Sequence, residues 1–280
     1  TFSDPQFAAT WKFESPWRLR LAWSQTHTWR DKFMQISPSS NGQPVRAEAA
    51  QTPTLGVKGQ WESWRLGITA WRKRQSNLVY EAQPALFANG AIGKGHGIDG
   101  WFQWRSKKGW THHLQYSLSR SLQRNPVMFR RNVLAGAVPA APRQPQYDNP
   151  YWFHPVQDVR HQLSWSLALA KGPWQFGSQV QLQSGRPWTP VTSVMPDHRG
   201  RPVGIEGRRN SARLPSYFRV DARVARRFRS ERMRWSLYAE ILNLTRARNV
   251  YQYRYDPLYD DRLGIMMLPT LPTLGFEAHF

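Results

Sequence analysis

Residues 232–242 read RMRWSLYAEIL. With the two-residue period of a β-strand, Met233, Trp235, Leu237, Ala239 and Ile241 fall on one face, and Arg232, Arg234, Ser236, Tyr238 and Glu240 on the other. One face is oily and the other polar or charged. Such a strand fits a water-soluble sheet whose oily face meets a core, and equally a membrane barrel whose oily face meets lipid. The remainder of the chain separates the two.

The same alternation recurs. Phe7, Ala9, Trp11 and Phe13 alternate with Ala8, Thr10, Lys12 and Glu14, and after Ser15-Pro16 the chain returns through Trp17, Leu19, Leu21 and Trp23 against Arg18, Arg20, Ala22 and Ser24. That is a hairpin with a very short turn. A second hairpin carries Leu55, Val57, Gly59 and Trp61, turns at Glu62-Ser63, and returns through Trp64, Leu66, Ile68 and Ala70. A third spans 96–118 around Ser106-Lys107-Lys108-Gly109, and a fourth joins 163–169 to 174–182 through Lys171-Gly172-Pro173. A fifth joins 218–228 to the opening stretch, and Leu274, Phe276, Ala278 and Phe280 form a final strand. The pattern predicts eleven strands. Turns inside hairpins are tiny, whereas the links near 31–50, 82–94, 123–155, 187–213 and 249–269 are long and rich in Pro, Gly, Asn and Arg. Short connections at one end and long ones at the other are the layout of an outer-membrane barrel.

The tryptophans point the same way. Trp17, Trp61, Trp64, Trp104, Trp110, Trp174 and Trp235 all fall on the oily face within a few residues of a short turn. Indole is favoured where one end of the ring is dry and the other wet, so this reads as an interfacial girdle at the periplasmic rim. A soluble core gives no reason for so many at one depth.

Bulk properties are compatible with this reading. The 280 residues contain no run approaching the roughly 18 apolar residues of a transmembrane helix, and mean hydropathy is negative. A barrel strand needs only about five lipid-facing residues alternating with polar ones, so low hydropathy does not exclude it. The absence of cysteine removes disulfides and thiolate metal sites. No leader pattern follows Thr1, as expected of an exported chain that has already shed one. A net charge of +21 raises the question of nucleic acid, but the basic residues are spread along nearly every segment and no nucleic-acid motif accompanies them. Anionic headgroups, lipopolysaccharide phosphates or an anionic solute satisfy the same charge.

Several short motifs occur in order: Ser184-Gly185-Arg186-Pro187-Trp188-Thr189-Pro190, Arg213-Leu214-Pro215-Ser216-Tyr217-Phe218-Arg219-Val220-Asp221 and Tyr238-Ala239-Glu240-Ile241-Leu242-Asn243-Leu244. Arg248-Asn249-Val250 and Leu271-Pro272-Thr273-Leu274-Gly275-Phe276, with terminal Phe280, continue the series. Through them the C-terminal third resembles the end of TonB-dependent outer-membrane receptors, the active importers of metal chelates and other large solutes. Asp158-Val159-Arg160-His161 and Gly97-Ile98-Asp99-Gly100 are weaker matches to the same family. The resemblance implies an all-β, antiparallel transmembrane β-barrel, with residues 1–280 as the C-terminal portion: about eleven strands of about twenty-two. It implies that the plug domain and the N-terminal strands come from a second chain or a missing segment, and that TonB acts through that plug. It implies integral residence in the bacterial outer membrane, and a last strand, with Gly275, Phe276 and Phe280, that is read by the barrel-assembly machinery. No cofactor, metal or catalytic residue is implied. Rival readings are a passive porin-like channel, an outer-membrane enzyme and a structural barrel subunit of a larger envelope complex.

Candidate contact residues follow from this frame. Trp152, Phe153, Tyr251, Tyr253, Arg254, Tyr255 and Tyr259 lie in predicted loops, where they either meet an incoming ligand or pack the loops together. Asp256, Asp260 and Asp261 either bind a cation or pair with Arg254 and Arg262. The polar face places Arg18, Arg20, Arg65, Asp99, Arg105, Arg219, Asp221, Arg223, Arg234 and Glu240 toward the lumen, where the arginines steer an anion or pair with carboxylates of the plug. His112 and His113 point to opposite faces and cannot chelate together. An enzyme needs a Ser/His or Asp/His constellation that the spacing does not assemble.

Overall fold

The computed structural model describes residues 3–14, 16–29, 46–83, 86–125, 151–229 and 233–279. Its elements are β1 (Gln6–Lys12), β2 (Trp17–Thr28), β3 (Glu48–Gln60), β4 (Trp64–Gln83), β5 (Leu86–Arg105), β6 (Trp110–Arg124), β7 (His161–Lys171) and β8 (Trp174–Gln183). They continue with β9 (Pro187–Trp188), β10 (Val191–Pro196), β11 (Pro202–Glu206), β12 (Ala212–Arg213), β13 (Tyr217–Arg229) and β14 (Arg234–Leu242). The last three are β15 (Val250–Tyr255), β16 (Arg262–Met266) and β17 (Leu271–His279). Eleven strands form one antiparallel sheet in the order β1-β2-β3-β4-β5-β6-β7-β8-β13-β14-β17, so every strand pairs with its neighbour in the predicted meander. Arg232 and Phe280 lie outside the described residues, as does Ser15.

Register carries the alternation across the sheet. One row runs Trp11, Leu19, Val57, Ile68, Gly100, Tyr116, Leu163, Leu182 and Phe218 over nine strands. The row beside it, on the opposite face, runs Lys12, Arg18, Lys58, Gly67, Trp101, Gln115, Ser164, Gln181 and Arg219. Among the described residues no second layer covers the oily face. Leu21, Leu55, Ile68, Ile98, Phe176, Leu182, Leu237 and Phe276 are each about half exposed, and Leu274 is 87% exposed. A buried side chain of this kind is worth about 1.5–3 kcal/mol, so in water these eight half-exposed residues forgo roughly 6–12 kcal/mol. That is as large as the whole net stability of an ordinary domain, about 5–15 kcal/mol. The sheet is therefore built for an apolar solvent, the second of the two settings that the opening stretch fits.

The aromatic girdle forms at the end with short turns. Trp61 stacks on Trp64 with ring centroids 3.5 Å apart and meets Trp17 edge-on at 5.2 Å. Further round, Trp104 lies 5.0 Å from His112, which is 6.1 Å from Trp165, and Phe228 stacks on Trp235 at 3.8 Å. Two turns at this end need a left-handed residue and have glycine there, Gly109 (φ 89°) and Gly172 (φ 58°).

At the other end the links differ from expectation. Residues 86–94, predicted as part of a long loop, continue β5, and β4 and β5 are 20 residues each. The extension has local supports: a bulge at Asn77 (φ 59°), whose amide donates to the Ala47 carbonyl at 2.7 Å, and Asn89, which accepts from the Arg46 amide at 2.6 Å and donates to the Asn77 carbonyl at 2.8 Å. Leu78, Tyr80, Ala88 and Ala91 make a small buried cluster there. The links 187–213 and 249–269 hold their own hairpins, β10–β11 and β15–β16, and β9 pairs with β12.

The loops are tied down by motif residues. Asn249 accepts from the Phe218 amide at 2.9 Å and donates to its carbonyl at 2.8 Å, joining the last loop to the start of β13. Asp221 receives Arg219 Nε at 2.8 Å and the Asn243 amide at 2.9 Å; Asn243, at φ 51°, exchanges hydrogen bonds of 3.0 Å with Ala247. Asp158, 2% exposed, binds the Arg213 guanidinium, His154 Nδ1 at 3.0 Å and the Ser121 amide at 2.5 Å, locking the segment before β7 onto β6 and β12.

Two substitutions test these supports. Gly275 lies opposite Tyr238, and a methyl group built on it overlaps the phenol ring, which also carries the Arg223 guanidinium at 4.0 Å. Gly275→Ala is expected to displace Tyr238 at a cost of about 1–3 kcal/mol and to lower the folded fraction seen as heat-modifiable mobility on gels. Asn249→Ala removes two hydrogen bonds and leaves a part-buried backbone pair to find other partners, costing about 1–3 kcal/mol. Limited proteolysis should then cut within 244–269 faster while the sheet stays protected.

Candidate functional site

The polar face of the sheet is the first candidate surface, and register places every predicted lumenal residue on it. Arg20, Gly56, Thr69, Asp99 and Ser117 form one row, Arg65, Gln103, His113, Ser166, Gln179 and Asp221 another, and Arg105, Thr111, Ala168, Gly177, Arg223 and Glu240 a third. Arg234 stands on the same face of β14, opposite Arg229 and His279. Charge is unevenly balanced over this surface. Asp221 pairs with Arg219 and Glu277 with Arg223, the latter at 3.2 Å, so the β13–β17 side supplies partners for two of its own arginines. Glu240 lies directly across from Arg223 in register, yet the salt bridge goes to Glu277. Asp99 is held by the Ser117 hydroxyl. Among the described residues no carboxylate pairs with Arg18, Arg20, Arg65 or Arg105.

This face also contains residues that alternation alone did not single out. Trp101 projects from it and lies flat over Gly67, and Trp71 covers Gly97; in each case a side chain on the glycine would strike the indole. The glycines leave space for flat aromatic surfaces on the wall. A groove of about 340 Å³ runs past Arg20, Lys58, Thr69 and Trp101. The sequence held the signal in the pairing of inward Trp with Gly one strand away, but only register reveals the pair.

The loop end is the second candidate surface. Trp188 and Tyr253 stand 4.9 Å apart, and the Arg262 guanidinium lies 4.1 Å from the Tyr253 ring and 5.4 Å from Trp188. Arg186 lies 5.6 Å over Tyr251, which is 53% exposed. Tyr251 also borders a groove of about 500 Å³ with Arg219, Asn243, Asn249 and Met266. Tyr255 and Tyr259 are 5.8 Å apart and serve packing: the Tyr255 hydroxyl accepts from the Val191 amide at 3.2 Å, and Tyr259 presses on Gly204. Arg254 is exposed on β15, opposite Leu263. The arrangement joins cations to aromatic faces, a combination that suits planar or anionic groups.

Other predicted contacts lie elsewhere. Phe153 is 5% exposed, pairs with Gln123 through backbone bonds and is a packing residue. Trp152 sits away from the tyrosines, under Lys94 at 4.2 Å and Arg124 at 5.3 Å. The carboxylates of 256–261 build neither a cation site nor the expected pairs with Arg254 and Arg262. Asp256 receives the Asp261 amide at 3.1 Å, Asp261 receives the Arg262 amide at 2.6 Å, and no group of metal-binding side chains occurs among the described residues. Short acidic side chains satisfy turn backbone at close range, and Arg262 is drawn instead to the Tyr253 face. Outside the sheet, burial near β11 raises the Glu206 carboxyl above the usual range, opposed by Arg209.

No protein of curated function matches this sequence. Among solved structures, the chain is similar to the ferripyoverdine receptor of the outer membrane of Pseudomonas aeruginosa (13% identity, TM-score 0.60, 98% of this chain and 32% of that one). It is also similar to the siderophore receptor PiuA from Acinetobacter baumannii (15%, 0.62, 98% and 35%) and the ferric yersiniabactin uptake receptor FyuA from Yersinia pestis (14%, 0.61, 98% and 36%). At these identities the likeness establishes the fold, and the chain spans about a third of the length of each. The model of the family described as TonB dependent receptor-like, beta-barrel matches residues 1–244, from the first strand through β14. By that match, over most of its length, the chain belongs to the TonB-dependent receptor-like β-barrel family.

Proposed function

We propose that this chain forms the C-terminal portion of the barrel of an outer-membrane receptor that imports a large solute such as a metal chelate, driven by TonB through a plug supplied by another segment or chain. The family, one of outer-membrane transport receptors rather than enzymes, gives the general class. The observation that carries the reading is the pair of open edges. β1 pairs only with β2, and β17 only with β14, among the described residues. In hydrocarbon each unpaired N–H or C=O costs several kcal/mol, so two bare edges together cost tens of kcal/mol. Eleven antiparallel strands leave the first and last pointing the same way, so self-closure needs a parallel seam. Further antiparallel strands remove the problem at both edges.

A plug explains the uneven charge of the wall. Arg18, Arg20, Arg65 and Arg105 face a lumen in which no described carboxylate of their own sheet pairs with them, and a domain packed there supplies partners. At the mouth, Arg186, Trp188, Tyr251, Tyr253 and Arg262 are the residues proposed to capture the solute. In this mechanism the barrel makes and breaks no bond: loops select, the plug moves under TonB, and the wall lines the path.

Intact-mass analysis and N-terminal sequencing of everything that co-purifies in detergent should find plug-like sequence with about eleven further strands, in the same polypeptide or a partner. A folded, heat-modifiable barrel made of these strands alone would instead indicate a small self-closed channel. In the intact receptor, Arg262→Ala combined with Tyr251→Ala should weaken binding of the ferric chelate it recognises, found by screening catecholate, hydroxamate and citrate complexes by tryptophan quenching, by roughly 10-fold or more, equivalent to about 1.4 kcal/mol. Heat-modifiability should be unchanged.

A further inference from the structure

Six basic side chains stand together on the outward, oily face of the sheet, at its loop end. Arg72, His96 and Arg120 are in register across β4, β5 and β6; Arg74 and Lys94 pair in the next row, and Arg124 follows in the row beyond. All six are exposed. With strands about 4.8 Å apart and about 6.8 Å between successive residues on one face, the charges occupy a patch of roughly 10 by 14 Å. Arg74 and Lys94 are like charges directly opposite on neighbouring strands, an arrangement that repels. The described ion pairs all lie elsewhere, so no carboxylate among the described residues relieves this repulsion.

Their height is set by the strand. Arg72 is eight residues from Trp64, His96 eight from Trp104, and Arg120 ten from Trp110, all on the same face of their strands. At about 3.4 Å per residue and a tilt near 40°, that distance is roughly 20–26 Å along the membrane normal, close to the apolar band of about 25 Å. The patch therefore begins where hydrocarbon ends, one membrane thickness from the tryptophan girdle. Below it the same face carries Ile68, Ala70, Ile98, Phe102, Leu114 and Leu118. Trp152 lies on this side too, with Lys94 and Arg124 against its ring, an indole placed at the boundary between apolar and wet surroundings.

We propose that Arg72, Arg74, Lys94, His96, Arg120 and Arg124 form a binding site for the phosphates of lipopolysaccharide in the outer leaflet. The site rests on the outer-membrane reading, which turns the long loops outward and so places the patch in the leaflet that contains this lipid. Guanidinium forks match phosphate oxygens, and the acyl chains of the same lipid have the leucines, isoleucines and phenylalanine below them to lie against.

The test uses the intact receptor in detergent, with native mass spectrometry and a bilayer-insertion assay. Wild-type protein should retain bisphosphorylated lipid A, bind dephosphorylated lipid A at least 10-fold more weakly, and lose the difference as salt rises. The triple variant R72Q/R74Q/R120Q should lose the same 10-fold, while K94Q alone, a milder change, should lose about three-fold. Equal binding of both lipids by wild type, or variants that bind as wild type does, overturns the site while leaving the receptor reading intact. Displacement of lipid A by millimolar inorganic phosphate also overturns it, marking a small-anion site. Failure of the protein to insert into bilayers overturns the site and the membrane reading together.

Discussion

In a one-layer sheet with an oily face, the backbone hydrogen bond is the interaction on which everything else depends. Among the described residues no core runs beneath the strands within the apolar band, and a membrane offers no water to satisfy a broken ladder. The register behaves accordingly. Among the described residues, shifts occur in β4–β5 beyond Gln75 and in the loop hairpins β10–β11 and β15–β16, all outside the apolar band. Within the band the pairing runs without a slip from β1 to β17. Pro53, which has no N–H to give, interrupts the β3–β4 pairing between Gln51 and Thr54, near the upper margin of the band.

Freedom at the loop end follows from the same constraint. Above the membrane, water can satisfy irregular backbone, so bulges, left-handed asparagines and short hairpins are affordable there. Side-chain bonds then replace the uniform ladder as the source of order. Asn77 and Asn89 hold the tall hairpin, Asp158 holds the segment before β7, and Asp221, Asn243 and Asn249 hold the last loop. Motif residues that resemble a receptor family are, in physical terms, these fasteners. Their role is to fix where Trp188, Tyr253 and Arg262 meet.

What the sequence made legible divides along this line. Period-two alternation is a local signal, so the eleven strands, the oily and polar faces and the tryptophan girdle could all be read from residues a few positions apart. The extension of β5 through 86–94 could not, because the stretch is rich in Ala and Gly and its pairing is set by a bulge at Asn77 and by bonds to residues 46–48. Phe153 looked like a loop aromatic, and its burial comes from a backbone bridge to Gln123, thirty residues away. The acidic turn at 256–261 misled for a different reason. Carboxylates beside arginines suggest ion pairs, but turn geometry offered nearer amide donors and an aromatic face took the arginine.

Charge shows how far one sheet can be self-sufficient. Its excess of positive charge is sorted by face and height. On the inner face the β13–β17 side pairs Arg219 and Arg223 with its own carboxylates, whereas the β2–β5 side has arginine and lysine directly opposed, as Arg18 is to Lys58. On the outer face basic side chains gather at the upper margin of the apolar band, while Arg226 lies at the lower margin against Trp174 and Phe228. Burial of a charge is tolerable only with a partner, and opposed like charges destabilise a strand pair. A sequence that retains both arrangements is balanced by what surrounds it: under the proposed function, an acidic plug surface within, and phosphorylated lipid without. The pattern of unpaired charge is thus a relief map of partners, as the unpaired edges of β1 and β17 are of missing strands.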